Sequence, residues 1–362
     1  MTAPALSLII SINPMAAKKF LVTGASGFLG YHICNYLLAK GQKVRGIDIA
    51  PFDYPDIADE VTFFKGDIRN RNLLERAMRG VDVVIHSAAA LPLWPEKEIF
   101  SINVDGTRLI LQKARELGIG RVVFISSTAV YGIPGEKLVD ESHPLSGVGP
   151  YGESKIEAEG VCLGFRKKGL CVPILRPKTF AGPMRLGVFQ IICEWVLEGK
   201  NIPIIGSGNN KYQLLHIDDL AAAIYLASTA PKNKVNDTFN VGAAKFKRVK
   251  ADLQALLDYA GFGKRVVPIP SWLVIPVLKV LYYLRLSPLY EWIYETAGKD
   301  HYVLVDKLQK ELGWKPKKTT ADVWIDTYKW YKKEYADKEI ETGISHRVAW
   351  KQGILKLAKL FF

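Results

Sequence analysis

The feature that most limits what this chain can fold into is a glycine-rich turn, Gly24-Ala-Ser-Gly27-Phe-Leu-Gly30. It follows Phe20-Leu-Val-Thr23, a short apolar run of β-type residues. It precedes residues 28–39, whose apolar side chains recur at helical spacing and stop at Gly41. That context predicts strand, turn and helix in immediate succession. The first glycine makes the tight turn, the second lets the backbone approach a pyrophosphate, and the third allows close packing of the helix. The helix N-terminus offers N–H groups and a partial positive charge to phosphates. A glycine turn with no ligand is the alternative reading, and the strand–turn–helix context disfavours it.

The pattern then repeats. Val44–Asp48, Val61–Phe64, Val81–His86 and Arg121–Ser126 read as strands, and residues 73–78 and 99–117 read as helices between them. Alternating strands and helices imply βαβ units with right-handed crossovers. The expected fold is α/β, a Rossmann-type doubly wound parallel sheet. Val172–Leu175 reads as a further strand. Beyond about Pro173 the pattern loosens into helices and Pro/Gly loops, which suggests a smaller C-terminal substrate-binding lobe with returns to the sheet. The expected division is a lead over 1–17, a dinucleotide-binding domain over 18–180, the lobe over 181–335 and a basic tail over 336–362. The apolar stretch 2–13 is not preceded by a basic residue, so a secretory signal is not expected, and Met15 is a second candidate start.

Asp48 ends the second strand, eighteen positions after Gly30. A carboxylate there accepts hydrogen bonds from an adenosine ribose and repels a 2′-phosphate. NAD is therefore the expected cofactor. Lys43 and Arg45 precede Asp48 and leave NADP as an alternative. Asp67-Ile68, after the third strand, is placed to flank the adenine, with a helix N-cap as the competing role for Asp67.

Tyr151-Gly-Glu-Ser-Lys155 puts a phenol and an ammonium one helical turn apart on one face. A tyrosine normally titrates near about 10, and a neighbouring ammonium lowers that value. Such a tyrosine exchanges a proton with an alcohol oxygen. Upstream, Ser126-Ser127-Thr128 lies at the C-terminal end of a strand, where open α/β sheets bind ligands.

In this order the motifs resemble the extended short-chain dehydrogenase/reductases, the NAD-dependent epimerase/dehydratase group. The matching residues are Thr23 to Gly30, Gly66-Asp-Ile68, His86-Ser-Ala-Ala-Ala90, Asn103-Val-x-Gly-Thr107, Ser126 to Gly132, Tyr151-x3-Lys155, Leu175-Arg-Pro177 through Gly182-Pro183, and His216-Ile-Asp-Asp219. They span about residues 18–230, with weaker resemblance to about 330. The resemblance implies that Ser127 holds the substrate oxygen, that Tyr151 is the acid/base, and that Lys155 binds the nicotinamide ribose and tunes the tyrosine. It implies cofactor contacts from Gly24, Ser26, Gly27, Phe28 and Leu29 at the turn, and from Asp48, Asp67 and Ile68 near the adenosine. Ala88, Ala89, Pro177 and Thr179 complete that set beside Tyr151 and Lys155. The implied reaction is hydride transfer at a carbinol or ketone carbon.

Departures from the family pattern narrow the reaction. Dehydratases of the group carry Asp-Glu where this chain has Thr128-Ala129, so a 4,6-dehydratase is not expected. The diphosphate-binding Asn of nucleotide-sugar epimerases is Thr179 here, and the corresponding Arg is Tyr212. Lys211 or Arg185 is a non-identical substitute. The expected substrate contacts are Thr128, Thr179, Arg185 and Tyr212. A hydrophobic or lipid-linked alcohol or ketone is favoured, similar to the 3β-hydroxysteroid dehydrogenase-like branch. A sugar epimerase is the alternative, and a non-catalytic NAD-binding sensor or scaffold is the third reading.

The formal net charge is +13, and the four cysteines form no metal-ligand pattern. No nucleic-acid-binding motif is present. Trp350, Ile354, Leu357 and Phe361 share one helical face, with Lys351, Lys356 and Lys359 lying away from it. A basic amphipathic helix of this kind suits an anionic membrane surface, while docking on the chain's own body is the alternative. The expectation is a cytoplasmic enzyme with a small-molecule substrate, peripheral on the inner membrane face through that tail, with a homodimer as a further expectation. No metal is expected.

Overall fold

A computed structural model describes residues 17–133, 138–284 and 297–336, together with Lys359 and Phe362. The lead over 1–16 and nearly all of the tail beyond 336 lie outside the described residues.

The first half alternates strands and helices: β1 (Lys19–Thr23), α1 (Phe28–Ala39), β2 (Lys43–Asp48), β3 (Val61–Lys65), α2 (Arg71–Met78), β4 (Val83–His86), α3 (Glu96–Phe100), α4 (Thr107–Glu116), β5 (Arg121–Ile125), α5 (Gly149–Lys167) and β6 (Ile174–Pro177). The second half contains β7 (Phe180–Ala181), α6 (Val188–Leu197), β8 (Ile202–Ile205), β9 (Leu215–His216), α7 (Ile217–Thr229), α8 (Lys232–Val235), β10 (Thr238–Val241), α9 (Val249–Ala260), β11 (Val266–Ile269), α10 (Ser271–Tyr283), α11 (Asp306–Leu312) and α12 (Thr320–Tyr335).

Seven strands form one sheet in the order β10-β6-β5-β4-β1-β2-β3, and every pairing is parallel. The expected doubly wound sheet is therefore present. Alternate strand residues serve opposite faces, as a period of two requires. Phe20 and Val22 pack with Phe28, Ile33 and Leu37 of α1 and Leu220 and Ile224 of α7. Leu21, Val84 and Val122 pack with Leu74 of α2, Ile110 of α4 and Cys162 of α5. The order reverses between β1 and β4, which opens the ligand crevice at the carboxyl ends of those two strands.

A separate core forms around α6, α9 and α12, with Trp195, Leu253, Leu256, Tyr328 and Tyr331 buried together. The small sheet β8-β11 packs beside it. Lys359 was expected on a solvated face, but it is buried between Glu194 and Glu198, 2.7 Å from each. The Phe362 carbonyl accepts from the Asn201 backbone N–H and its side-chain amide. At these two positions the chain's end docks on α6 and the loop after it.

Several element boundaries shift by one or two residues from the sequence expectation, and two differences have a visible local feature. Residues 99–117 are not a uniform α-helix, because Ser101–Gly106 winds as a π-helical stretch between α3 and α4. The last strand of the first half runs over Ile174–Pro177, two residues later than expected. Val172 N–H is taken by the Asn236 side chain at that point. All four cysteines are buried thiols. No described helix is long and apolar enough to cross a membrane.

Candidate active site

The glycine turn leaves β1 and enters α1. Gly24 sits at φ +72°, a conformation that favours glycine, and a Cβ there would lie 2.9 Å from the Ala88 backbone. This is where the turn after β1 meets the loop after β4, at the strand-order reversal. At Gly30 a Cβ would come 2.0 Å from the Gly24 carbonyl oxygen, so the third glycine lets the helix close on the turn itself. The N-cap of α1 is Gly27, with no side-chain cap on the first-turn N–H groups. Those donors and the cradle of absent side chains fit a pyrophosphate.

Asp48 stands where the ribose contact is expected. Its carboxylate accepts from the backbone N–H of Ser26 at 3.0 Å and of Ala50 at 2.9 Å, which ties the end of β2 to the turn. Phe28 is buried behind the turn and Leu29 is partly buried. Ala88 N–H donates to Thr23 Oγ1 at 3.1 Å, and Ala88 and Ala89 are both partly exposed along the crevice. Asp67 is not the cap of α2. Asn70 is, accepting from Leu73 N–H. The Asp67 carboxylate instead pairs with Arg69 at 2.7 Å, and that hydrogen bond holds it below the usual carboxylate range. Ile68 is buried against Gly106, where a Cβ would collide with it.

Ser127 follows the end of β5 and caps the short 3-10 turn Thr128–Tyr131, accepting from Ala129 N–H at 3.1 Å. Tyr151 lies in the first turn of α5, with its hydroxyl near enough to Ser127 for the serine to draw its pKa down. Lys155, one turn on, is buried. Its Nζ donates to the Ile125 carbonyl at 3.0 Å and lies 5.9 Å from the Tyr151 ring centre. The structure thus brings together the serine, tyrosine and lysine of the sequence reading.

The electrostatics differ from expectation in one respect. Burial pushes the Tyr151 phenol above its ordinary value, while the Ser127 hydrogen bond and then the Arg185 charge pull it back. The drawing charge is that of Arg185, not of Lys155. Lys155 is itself pulled down to about 8 by burial.

Several supporting groups were not foreseen as such. Asn103, in the π-helical stretch, accepts from Ala90 N–H at 2.8 Å and donates to Ser154 Oγ at 3.0 Å. Ser154 in turn donates to the Tyr151 carbonyl at 2.8 Å. One side chain therefore joins the β4 loop to the helix that carries Tyr151. His86 bridges Thr23 and Thr107 at 2.8 and 2.9 Å, and burial drives its pKa down to about 3. Thr107 already donates to the Asn103 carbonyl, so it accepts from His86 Nε2, and His86 Nδ1 accepts from Thr23. His86 is thereby a neutral brace. Beneath Ser127, the buried Arg176–Glu159 pair at 2.6 Å holds Ser126, whose hydroxyl donates to Glu159 at 2.5 Å. A residue-by-residue reading cannot find such pairs, since their members lie far apart in sequence.

Of the residues expected to contact substrate, Thr128 is buried beside Ser127. Pro177 ends β6, and Thr179 just beyond it hydrogen-bonds the Tyr212 hydroxyl at 3.1 Å. Tyr212 stacks on His301, which bonds Lys178 Nζ. Burial drives the Lys178 ammonium well down. Lys211 is exposed, with Nζ over the Tyr302 ring, so it does not join Thr179. Arg185 is buried, its guanidinium over the rings of Phe28, Phe180 and Phe189 at 5.0 to 5.8 Å. No group of three or more metal-ligating side chains occurs among the described residues.

Residues 20–242 match the model of the NAD dependent epimerase/dehydratase family. An uncharacterized protein of Sinorhizobium fredii, y4nG, is 36% identical, covering 97% of this chain and 88% of its own length. The human sterol-4-alpha-carboxylate 3-dehydrogenase, decarboxylating, is 26% identical, covering 87% of this chain and 88% of its own. The crystal structure of UDP-glucuronic acid 4-epimerase from Bacillus cereus in complex with NAD superposes with a TM-score of 0.73. It is 23% identical and covers 89% of this chain and 98% of that one, a likeness of fold.

Proposed function

The chain belongs to the NAD dependent epimerase/dehydratase family, and from that premise we propose an oxidoreductase acting on a hydrophobic or lipid-linked secondary alcohol or ketone. The single observation that carries this reading is the convergence of Ser127, just past the carboxyl end of β5, with Tyr151 and the buried Lys155 of α5, one strand from the β1–β4 crevice. NAD, when bound, accepts or returns the hydride. The protein's own residues then have separate tasks. Gly24, Gly27 and the first turn of α1 receive the pyrophosphate, and Asp48 the adenosine ribose. Ser127 holds the substrate oxygen, and the Tyr151 hydroxyl takes its proton or gives it back. Lys155 lies one turn from Tyr151 to hold the nicotinamide ribose.

The substrate class is supported by Thr179 and Tyr212, two neutral hydroxyls that hydrogen-bond each other where a diphosphate would need donors and charge. The human relative is a sterol dehydrogenase by name, a hydrophobic precedent for the same fold. Net cofactor turnover tests the proposal against a sugar epimerase. The purified chain given NAD and hydrophobic secondary alcohols is expected to accumulate NADH in step with ketone. Interconversion of a nucleotide sugar with no net change in NADH absorbance would favour the epimerase reading.

Association with an anionic membrane surface belongs to this reading as well. In and just beyond α10, Leu273, Val277, Val280 and Leu284 are all exposed at one-face helical spacing. Trp272 and Tyr283 flank the stripe, 78% and 88% exposed. Apolar stripes flanked by aromatics suit the bilayer interface, and a net charge of +13 favours anionic lipid. The chain is expected to float with phosphatidylglycerol-containing vesicles at low salt, and Leu273→Ser with Val277→Ser and Val280→Ser to remain at the bottom of the gradient. Sedimentation of the wild-type chain apart from the vesicles would contradict the assignment.

A further inference from the structure

We infer that Tyr54 is a positioning residue for the cofactor. Its hydroxyl, which donates to the carbonyls of Ser26 and Gly27, fixes the glycine turn in the form that receives the pyrophosphate. The inference deepens the proposed function and rests on its placing the pyrophosphate at that turn and the adenosine ribose at Asp48.

The turn gains from a restraint outside itself. Gly24, Gly27 and Gly30 belong to a residue type that adopts many backbone conformations at little steric cost. The Gly27 N–H donates to the Gly24 carbonyl at 3.0 Å, and the Ile47 carbonyl of β2 accepts from the N–H groups of Gly24 and Ala25. Those bonds hold the turn by its N–H groups. Tyr54 holds it by its carbonyls, at 3.2 Å from Ser26 O and 3.4 Å from Gly27 O. A trans peptide is planar, with its C=O and N–H pointing opposite ways. Fixing the Gly27 carbonyl therefore fixes the direction of the Phe28 N–H, the first of α1. Helix N-terminal donors bind an anion, and donors already aligned bind it at a lower entropic cost.

Tyr54 is itself locked in place. It is buried, with its ring centre 4.2 Å from that of Tyr31 on α1. The Tyr31 hydroxyl donates to Asp56 at 2.5 Å, two residues beyond Tyr54. Burial, and then the bond to Asp56, push the Tyr31 phenol above its ordinary value, so it remains the donor at neutral pH. Phe52 packs edge-on against Tyr54 and stacks on Phe63 of β3. Aromatic contacts on both sides thus pin the segment after β2 to α1 and to β3.

That segment begins at Asp48. Ser26 gives its N–H to the Asp48 carboxylate at 3.0 Å and its hydroxyl to the Ala50 carbonyl at 3.1 Å, and its own carbonyl accepts from Tyr54. The strand end that receives the ribose and the turn that receives the pyrophosphate are joined through this one residue. The Tyr54 bonds go to carbonyls at the mouth of α1, so its effect falls on the pyrophosphate half of the cofactor.

The test is calorimetric titration of the full chain with NAD and with ADP, and displacement of bound NAD by adenosine. Tyr54→Phe keeps the ring and deletes the hydroxyl. It is expected to weaken NAD and ADP by about twofold to tenfold, the range of one net hydrogen bond, with adenosine affinity within about twofold of wild type. Tyr31→Phe, which frees the segment from Asp56, is expected to move ADP in the same direction, and serves should Tyr54→Phe fail to fold. An unchanged preference for ADP over adenosine in both variants would overturn the inference. So would an equal weakening of ADP and adenosine, the mark of a general structural role. Failure of the cofactor placement looks different: adenosine would not displace NAD from the wild type, or ADP would bind the wild type no better than adenosine.

Discussion

Replacing Tyr151 with Phe is expected to lower turnover by about a hundredfold to ten-thousandfold, the span attributed to a positioned general acid or base, while NAD still binds. Two features make the loss large. The hydroxyl beside Ser127 is the group proposed to exchange the substrate proton, and phenylalanine keeps the ring while deleting it. Burial also holds Tyr151 above its ordinary pKa, so at neutral pH its hydroxyl keeps the proton that a general acid donates. NAD binding should survive because the determinants proposed for it lie elsewhere, at the Gly24–Gly30 turn and Asp48. Equilibrium NAD titration alongside NADH formation separates the two effects. Turnover within about threefold of wild type, well inside a general acid/base contribution, would contradict the assignment.

The second large effect is on stability. Arg176→Met should destabilise the fold by about 3–5 kcal/mol, because it leaves a buried carboxylate without its counter-charge. Glu159 is almost wholly buried and accepts from two Arg176 nitrogens and from Ser126 Oγ. Arg176 also donates to the Tyr131 hydroxyl at 2.7 Å, and that hydroxyl donates to Asn240 on β10. The pair thus joins the end of β5, α5, β6 and β10 through Ser126, the neighbour of Ser127. The double variant Arg176→Met with Glu159→Gln should recover much of the loss, since no unpaired charge remains. Urea unfolding midpoints measure both. A single-variant cost below about 1 kcal/mol would place the pair among weak surface-like bridges.

The legible and illegible parts of the molecule differ in physical kind. The turn at Gly24 to Gly30 was readable because its glycines are dictated by close backbone approach, and a Cβ at Gly30 has nowhere to go. The central strands were readable because alternate residues feed two separate cores, so both faces are apolar and the runs are short and dense. Tyr151 and Lys155 were readable because one helical turn places them on a common face. The charge acting on Tyr151 was not, since Arg185 arrives from a loop whose path depends on the unusual backbone at Met184. The π-helical stretch was hidden for a related reason. Asn103 meets the β4 loop and α5 only in three dimensions, and the apolar spacing of α3 and α4 continues past it. The C-terminal lobe was least legible. Its core gathers Trp195, Leu253 and Tyr328 from three distant helices, and burial of Lys359 by Glu194 and Glu198 inverts the face its spacing suggested.

The most direct measurement of the central claim is single-turnover NADH formation on one set of NAD-loaded preparations: wild type, Ser127→Ala, Tyr151→Phe and Lys155→Met. A long-chain secondary alcohol serves as substrate. NADH is expected from the wild type and little from Ser127→Ala or Tyr151→Phe, although both bind NAD normally. Lys155→Met is expected to lose both binding and turnover. Equal NADH bursts from the wild type and Tyr151→Phe would contradict the claim.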